Sequence, residues 1–249
     1  MFKNFLKIAY RNILRHKPYA FINIMGLSIG LACTLLIGIY VVNEFSFDEF
    51  HSKSDRIYRL CIDGKMGTNK FLGPVTPAPM AQALREDYPE IETSTRLLSE
   101  GSRSIRYENK MFYEDKFFYA DSNVFDVFSF EFIEGDKNAL MQPKTIVLTD
   151  KVAEKYFGSQ KAVGKSIRIL NNDSAFFLVT AVVKEFPSNS HFHFNMLASM
   201  SSNPYSRNTQ WVSNSYFTYL VFKTGADPYA FEKKIPQMVK KYIGPQMSQ

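Results

Sequence analysis

The chain has 249 residues, 45% of them hydrophobic and 15% aromatic, and a formal net charge of +6. Five of those six positive charges fall within residues 1–17, which hold Lys3, Lys7, Arg11, Arg15 and Lys17 and no acid, while the remainder balances 25 basic against 24 acidic residues. This excludes the basic face of a folded nucleic-acid-binding domain, and two cysteines, Cys33 and Cys61, exclude a disulfide framework.

In residues 2–15, Phe2, Leu6, Ala9 and Ile13 share one helical face, and Lys3, Lys7, Arg11 and Arg15 run down another at four-residue steps. This is a basic amphipathic helix suited to a membrane surface, and it also serves as the positive flank that fixes topology. Pro18 predicts a break. From Pro18 to Asn43 there is no Asp, Glu, Lys, Arg or His. As a helix, Tyr19–Val42 measures about 36 Å at about 1.5 Å per residue, against about 30 Å of bilayer hydrocarbon. The run exceeds the apolar core of a signal peptide, and Val41-Val42-Asn43-Glu44-Phe45 offers no small-residue cleavage site. We therefore expect a cytoplasmic segment over 1–17, a transmembrane helix over 18–43 and an outer domain over 44–249, with the basic flank inside. Gly26, Gly30, Thr34 and Gly38 recur every four residues, a stripe of small residues suited to helix packing.

Beyond the span, strands and short helices alternate. Strands are expected at Arg56–Ile62, Thr145–Leu148, Phe194–Ala198 and Tyr216–Lys223. Hairpins are expected from Arg103–Tyr107 with Met111–Tyr119, and from Ser166–Leu170 with Phe176–Lys184 around Asn171-Asn172-Asp173. Helices are expected from Thr76 to Asp87, from an Asp121 cap to Phe128, from a Thr149 cap to Phe157 with Gly158 as the stop, and after Asp227-Pro228, with Pro236 bending the last. Ser201–Asn208 reads as a loop. The fold class is α+β: one N-terminal transmembrane helix, then a mixed α/β extracytoplasmic domain with helices on one side of its sheet.

Chemistry-bearing patterns are sparse. Gly164-Lys165-Ser166 lacks the spacing and the strand-to-helix context of a phosphate-binding loop. His191-Phe192-His193 offers two imidazoles but no further ligand at metal spacing, and reads as a surface pair. His51 follows Phe47-Asp48-Glu49-Phe50 and is expected to pack with aromatics at the headgroups. We expect no catalytic, cofactor-binding or metal-ligating residue, and no enzyme.

The order of segments is nonetheless distinctive. Arg11-Asn-Ile-Leu-Arg-His-Lys-Pro18 and Phe21-Ile-Asn-Ile-Met-Gly-Leu-Ser-Ile-Gly30 resemble the start of MacB/FtsX-type ABC transporter permeases, in the form abundant in Bacteroidetes. The resemblance continues through Phe47-Asp-Glu-Phe-His51, Asp55-Arg-Ile-Tyr-Arg59, Ala120–Phe130, Val147-Leu-Thr149, Lys155-Tyr-Phe-Gly158, Ala162-Val-Gly-Lys165 and Val182–His191. It implies a MacB-like periplasmic core of Porter-like and Sabre-like parts, anchored in the bacterial inner membrane. It implies a separate cytoplasmic ATPase, dimerisation, a periplasmic adaptor or outer-membrane duct, and export driven by mechanotransmission. It makes Lys3, Lys7, Arg11 and Arg15 candidate contacts for membrane lipid or the ATPase. The family's three later membrane helices do not follow within the sequence, so a fragment of a longer permease or a broken reading frame is expected. The alternative is a single-pass anchored sensor or binding domain.

Overall fold

The computed structural model describes residues 2–66, 68–170 and 175–247. It divides into one unit ending at Phe47 and another beginning at Asp48. In the first, α1 (Phe2–Arg15) is followed at once by α2 (Lys17–Phe45), with Pro18 in the first turn of α2. A first-turn proline forfeits no helical hydrogen bond, so it restarts the helix where it ended the previous one. α2 is long and apolar enough to cross a membrane.

The second unit opens with β1 (Ile57–Arg59), then the hairpin of β2 (Ile62–Met66) and β3 (Asn69–Gly73). The expected strand Arg56–Ile62 is thus interrupted between β1 and β2. The expected helix from Thr76 begins late: Thr76–Pro77 forms β4 against the last strand, and α3 occupies Met80–Asp87. Next come β5 (Ile91–Tyr107), β6 (Lys110–Ala120), α4 (Val124–Val127), β7 (Phe132–Glu134), β8 (Thr145–Thr149) and α5 (Asp150–Phe157). The chain continues through β9 (Ser166–Leu170), β10 (Ala175–Val183), β11 (Met196–Ser199) and β12 (Asn214–Phe222). It closes with α6 (Pro228–Glu232), α7 (Ile235–Met238), a π-helical turn and α8 (Gly244–Met247). The β9–β10 hairpin pairs as expected; its Asn171-Asn172-Asp173 turn lies outside the described residues. The Ser201–Asn208 stretch is not a plain loop but begins within one 3-10 turn and contains another, with Asn203 and Ser206 buried.

The strands run in the order β1-β12-β5-β6-β11-β8-β10-β7, with β4 added to β12. β6–β11 and β8–β10 are parallel and the other pairs antiparallel, so the sheet is mixed. β9 pairs with both β10 and β5, which closes β5-β6-β11-β8-β10-β9 into a ring. The length of β5, 17 residues, makes this arrangement feasible. Its first half pairs with β12 and its second half with β9, and register shifts around Gly101 (φ 65) separate the two. A bulge bends a strand and raises its twist, so one strand can serve both regions.

Alternation along the strands sorts the core. Ile146, Leu148, Met196 and Ala198 join Ile105, Phe117 and Ile167 in one cluster, sealed by Val152, Tyr156 and Phe157 of α5. Val147 and Leu197 point the other way, into a second cluster with Phe128, Phe186, Phe194 and Tyr219 beneath α4. In β12, Leu220 and Phe222 meet Leu84 of α3, Trp211 and Phe231 of α6. The period of two thus puts α3, α5 and α6 on one side and the short α4 on the other, correcting the expectation that every helix shares one side. Gly135 (φ 79) is fixed by a close approach, since a Cβ there would lie 2.4 Å from the Thr180 carbonyl oxygen.

Candidate functional site

Chemistry gathers where the chain enters the second unit. Asp48 lies three residues after the end of α2 and adopts φ 60, a left-handed conformation that Asp tolerates better than most residues. Its N–H donates to the Asn189 carbonyl at 2.9 Å. Its Oδ1 accepts from the His191 N–H at 3.0 Å and the Ser190 hydroxyl at 3.2 Å. Its Oδ2 lies 2.8 Å from His191 Nδ1. Burial works against ionisation of Asp48, but the hydrogen bonds and charge of His191 outweigh it and hold the carboxyl below its usual range. With Asp48 ionised, Nδ1 carries the proton. The other ring nitrogen, Nε2, lies 2.8 Å from the Tyr219 hydroxyl. Burial raises the Tyr219 phenol to about 12, opposed in part by a hydrogen bond from Arg59. The result is a chain Arg59–Tyr219–His191–Asp48 across β1, β12, the β10–β11 connection and the start of the domain.

His51 lies beside this chain and corrects the expectation of packing at the headgroups. It is 2% exposed, with Phe50, Phe128 and Phe186 ring centroids 4.1, 5.1 and 5.4 Å from its own. The Ser129 N–H donates to its Nδ1 at 3.1 Å, so the ring proton belongs on Nε2, which is buried without a partner among the described residues. Burial pushes its pKa down to about 4, the nearby Asp48 opposing and His191 adding to the shift.

Both nitrogens of His191 are occupied, which suits a fastening better than a nucleophile or base. Among the described residues, no group of three His, Cys, Asp or Glu is placed to hold a metal ion. A hollow of about 250 Å³ beside Gly135, Asp136, Gln142 and Thr180, and another of about 440 Å³ beside Asp87, Tyr88 and Lys241, are both open to solvent. Gly164 (φ 93) donates its N–H to the Val179 carbonyl and opens the turn into β9, a structural turn.

The sequence-derived residues lie in the first unit. Lys3, Lys7, Arg11 and Arg15 are exposed along α1. Gly26, Gly30, Thr34 and Gly38 are exposed along α2, and a Cβ added at any of the three glycines would meet nothing within 4 Å. Thr34 Oγ1 donates to the Gly30 carbonyl at 2.9 Å, which folds its hydroxyl back onto the helix. The expected Asp121 cap is also corrected. The Asp121 carboxylate takes a bidentate bond from Arg96 at 2.9 Å, and only its backbone carbonyl receives the Val124 N–H.

The Asp48–His191–Tyr219 grouping escaped the sequence reading, because its members lie 143 and 28 residues apart. The available signal was two compact polar motifs, Phe47-Asp-Glu-Phe-His51 and Pro187-Ser-Asn-Ser-His191, each rich in side chains that bind backbone groups.

Comparison with known proteins places the fold. The structure resembles a permease-protein domain from Porphyromonas gingivalis, with TM-score 0.69 and 23% identity over 77% of this chain and 83% of that one. It also resembles the periplasmic region of MacB from Actinobacillus actinomycetemcomitans, with TM-score 0.53 and 18% identity over 74% of this chain and 83% of that one. Comparison with curated proteins gives no match. The model of the MacB-like periplasmic core domain matches residues 20–238, and the chain therefore belongs to the family of permeases that carry this domain.

Proposed function

We propose that this chain serves in the permease subunit of a MacB/FtsX-type ABC transporter, coupling ATP hydrolysis in a separate cytoplasmic subunit to movement of a periplasmic domain for export. The observation that carries this reading is the extent of the family match, which begins inside the apolar helix and runs through the folded domain to residue 238. The domain boundaries we assign are 1–17 cytoplasmic, 18–43 spanning the inner membrane and 44–249 periplasmic, supported by the basic residues on one flank of the span. Gly26, Gly30, Thr34 and Gly38 then pack a neighbouring helix of the transporter, as exposed small residues favour. Lys3, Lys7, Arg11 and Arg15 meet anionic headgroups or the ATPase. Dimerisation and a periplasmic adaptor or outer-membrane duct complete the assembly.

Two native cysteines allow a direct test of orientation. Cys61 is exposed in the folded domain and Cys33 sits within α2. A membrane-impermeant maleimide applied to spheroplasts should label Cys61 without permeabilisation, and a Lys3→Cys probe only after it. Labelling in the reverse order overturns the reading. Coupling is tested by replacing Lys3, Lys7, Arg11 and Arg15 with Ala in the complete transporter. Reduced ATPase coupling or membrane association supports their role, and unchanged values of both remove it.

A further inference from the structure

The cluster around Asp48 has a geometry suited to transmitting displacement. Two residues, Ser46 and Phe47, separate α2 from Asp48. Asp48 is at once tied by its N–H to Asn189, and by its carboxylate to Ser190 and to both the backbone and ring of His191. His191 passes the connection to Tyr219, in the middle of β12. β12 is an interior strand that pairs with β1 on one side and β5 on the other. The same chain returns to β12 through β1, where Ile57, Tyr58 and Arg59 pair with Val221, Leu220 and Tyr219. Residues 48–56 therefore form a loop fastened to β12 at both ends. Between the fastenings, Ser52 N–H donates to Ser129 Oγ, and Lys53 and Arg56 both bind Glu92.

Without the Asp48 tie, tension arriving from α2 would act on this loop from its free end. It would open these contacts and the buried seat of His51, which accepts from the Ser129 N–H, one at a time, as in peeling. With the tie, the tension meets four hydrogen bonds at one residue and passes to β12 and to the β10–β11 connection together. We propose that Asp48 and His191 are positioning residues that form a mechanical joint, delivering displacement of the membrane helix to β12 instead of letting residues 48–56 peel away. This deepens the transmission role proposed above and rests on it.

The test applies force to the full chain in a lipid nanodisc fixed through its belt protein. A handle is attached at Ser159→Cys, an exposed position after α5, in a Cys33→Ser, Cys61→Ser background. Tension then enters the domain at Asp48 and leaves it at residue 159. The parent should yield without a short early extension. Asp48→Ala and His191→Gln should each show one, at clearly lower force and of about 3 nm, the length of nine residues at about 3.4 Å each. Pulling Asp48→Ala between residue 159 and the C-terminus, a path that bypasses the joint, should give the parent trace. A general loss of stability would weaken both paths. An early extension in the parent itself, traces from both variants that match the parent, or equal weakening along both paths overturns the proposal. Neither nucleotide nor ATPase is present, so this result stands apart from whether the transporter reading holds.

Discussion

Acid should destabilise the folded domain through His51. The ring is 2% exposed among Phe50, Phe128 and Phe186, and its pKa falls from 6.5 to about 4. An unfolded chain takes up a proton at this residue as pH drops through 6.5, whereas the folded one resists until about 4. Stability is thus fully present above pH 6.5 and declines as pH falls toward 4. At about 1.4 kcal/mol per unit, the span corresponds to about 3 kcal/mol. The carboxylates held below their usual range, Asp48, Asp87, Glu90 and Glu92, act mainly at lower pH. Urea unfolding of the full chain in detergent, followed by far-ultraviolet circular dichroism at pH 7.5, 6.0 and 5.0, measures the slope. His51→Phe supplies the control. It removes the titration but leaves the part-buried Ser129 N–H without its acceptor, at a cost of about 1–3 kcal/mol at pH 7.5. The variant should therefore start less stable and lose less on acidification, so the two curves converge. Parallel curves for parent and His51→Phe would refute the argument, because the acid sensitivity would then reside elsewhere.

Other perturbations follow from the same contacts. Arg96→Ala removes a bidentate partner of Asp121 and donors to the Ala78 and Ser206 carbonyls; stranding a half-buried charge should cost about 3 kcal/mol, read as a lower urea midpoint. Gly135→Ala places a methyl group 2.4 Å from the Thr180 oxygen, whereas Gly101→Ala meets open space and strains only a φ of 65. The first should cost about 2–3 kcal/mol and the second about 1, and equal losses in a paired melt would show that the contact at Gly135 is relieved by backbone movement. Glu114→Gln keeps an acceptor for Tyr156 but forfeits the charge that binds Lys155; about 1–2 kcal/mol should be lost, with faster amide exchange in α5.

Local patterns were legible where one segment settles its own conformation. Pro18 after a basic amphipathic run fixed the break between the helices. Gly158, in a left-handed conformation, stopped α5 where the reading put it, and Asp227 caps α6 through the Tyr229 N–H. Failures occurred where a distant partner decides. Asp121 has the chemistry of a cap, yet a partly buried Arg96 offers its carboxylate two charged donors, a stronger claim than a backbone N–H. Pro77 argues against a strand, yet Thr76 and Pro77 pair with Asn214 and Tyr216 because β1 reaches only residues 219–221 of β12 and leaves its first residues unpaired on that side. The first half of β5, from Ile91 to Glu100, lacks simple alternation because it is covered on both faces, Leu97 facing one cluster and Leu98 the other. His51 looked interfacial because it follows the membrane helix so closely; only the Phe-rich cluster drawn from residues 128–194 reveals that it is buried.

The same distinction explains why the family resemblance reached further than any motif. Under the transmission role proposed above, the domain needs fastenings in place of reactive groups. A fastening distributes over several segments: one residue at the start of the domain, three in the β10–β11 connection, one in β12. Each part is an ordinary Asp, Asn, Ser, His or Tyr with a polar neighbour. What distinguishes them is that the buried hydroxyl of Tyr219 and the half-buried carboxylate of Asp48 both require a partner, and one imidazole satisfies both. Replacing His191 therefore affects two elements at once, whereas replacing either partner alone leaves the ring with one remaining bond. Asp48→Ala and Tyr219→Phe should accordingly be non-additive with His191→Ala: once the ring is gone, either second change should cost less than it does in the parent, although Asp48 still forfeits its bonds from Ser190 and the His191 N–H, and Tyr219 its bond from Arg59. A double-mutant cycle on thermal stability measures this directly, and additive losses would mean that the two bonds act independently and no relay joins α2 to β12.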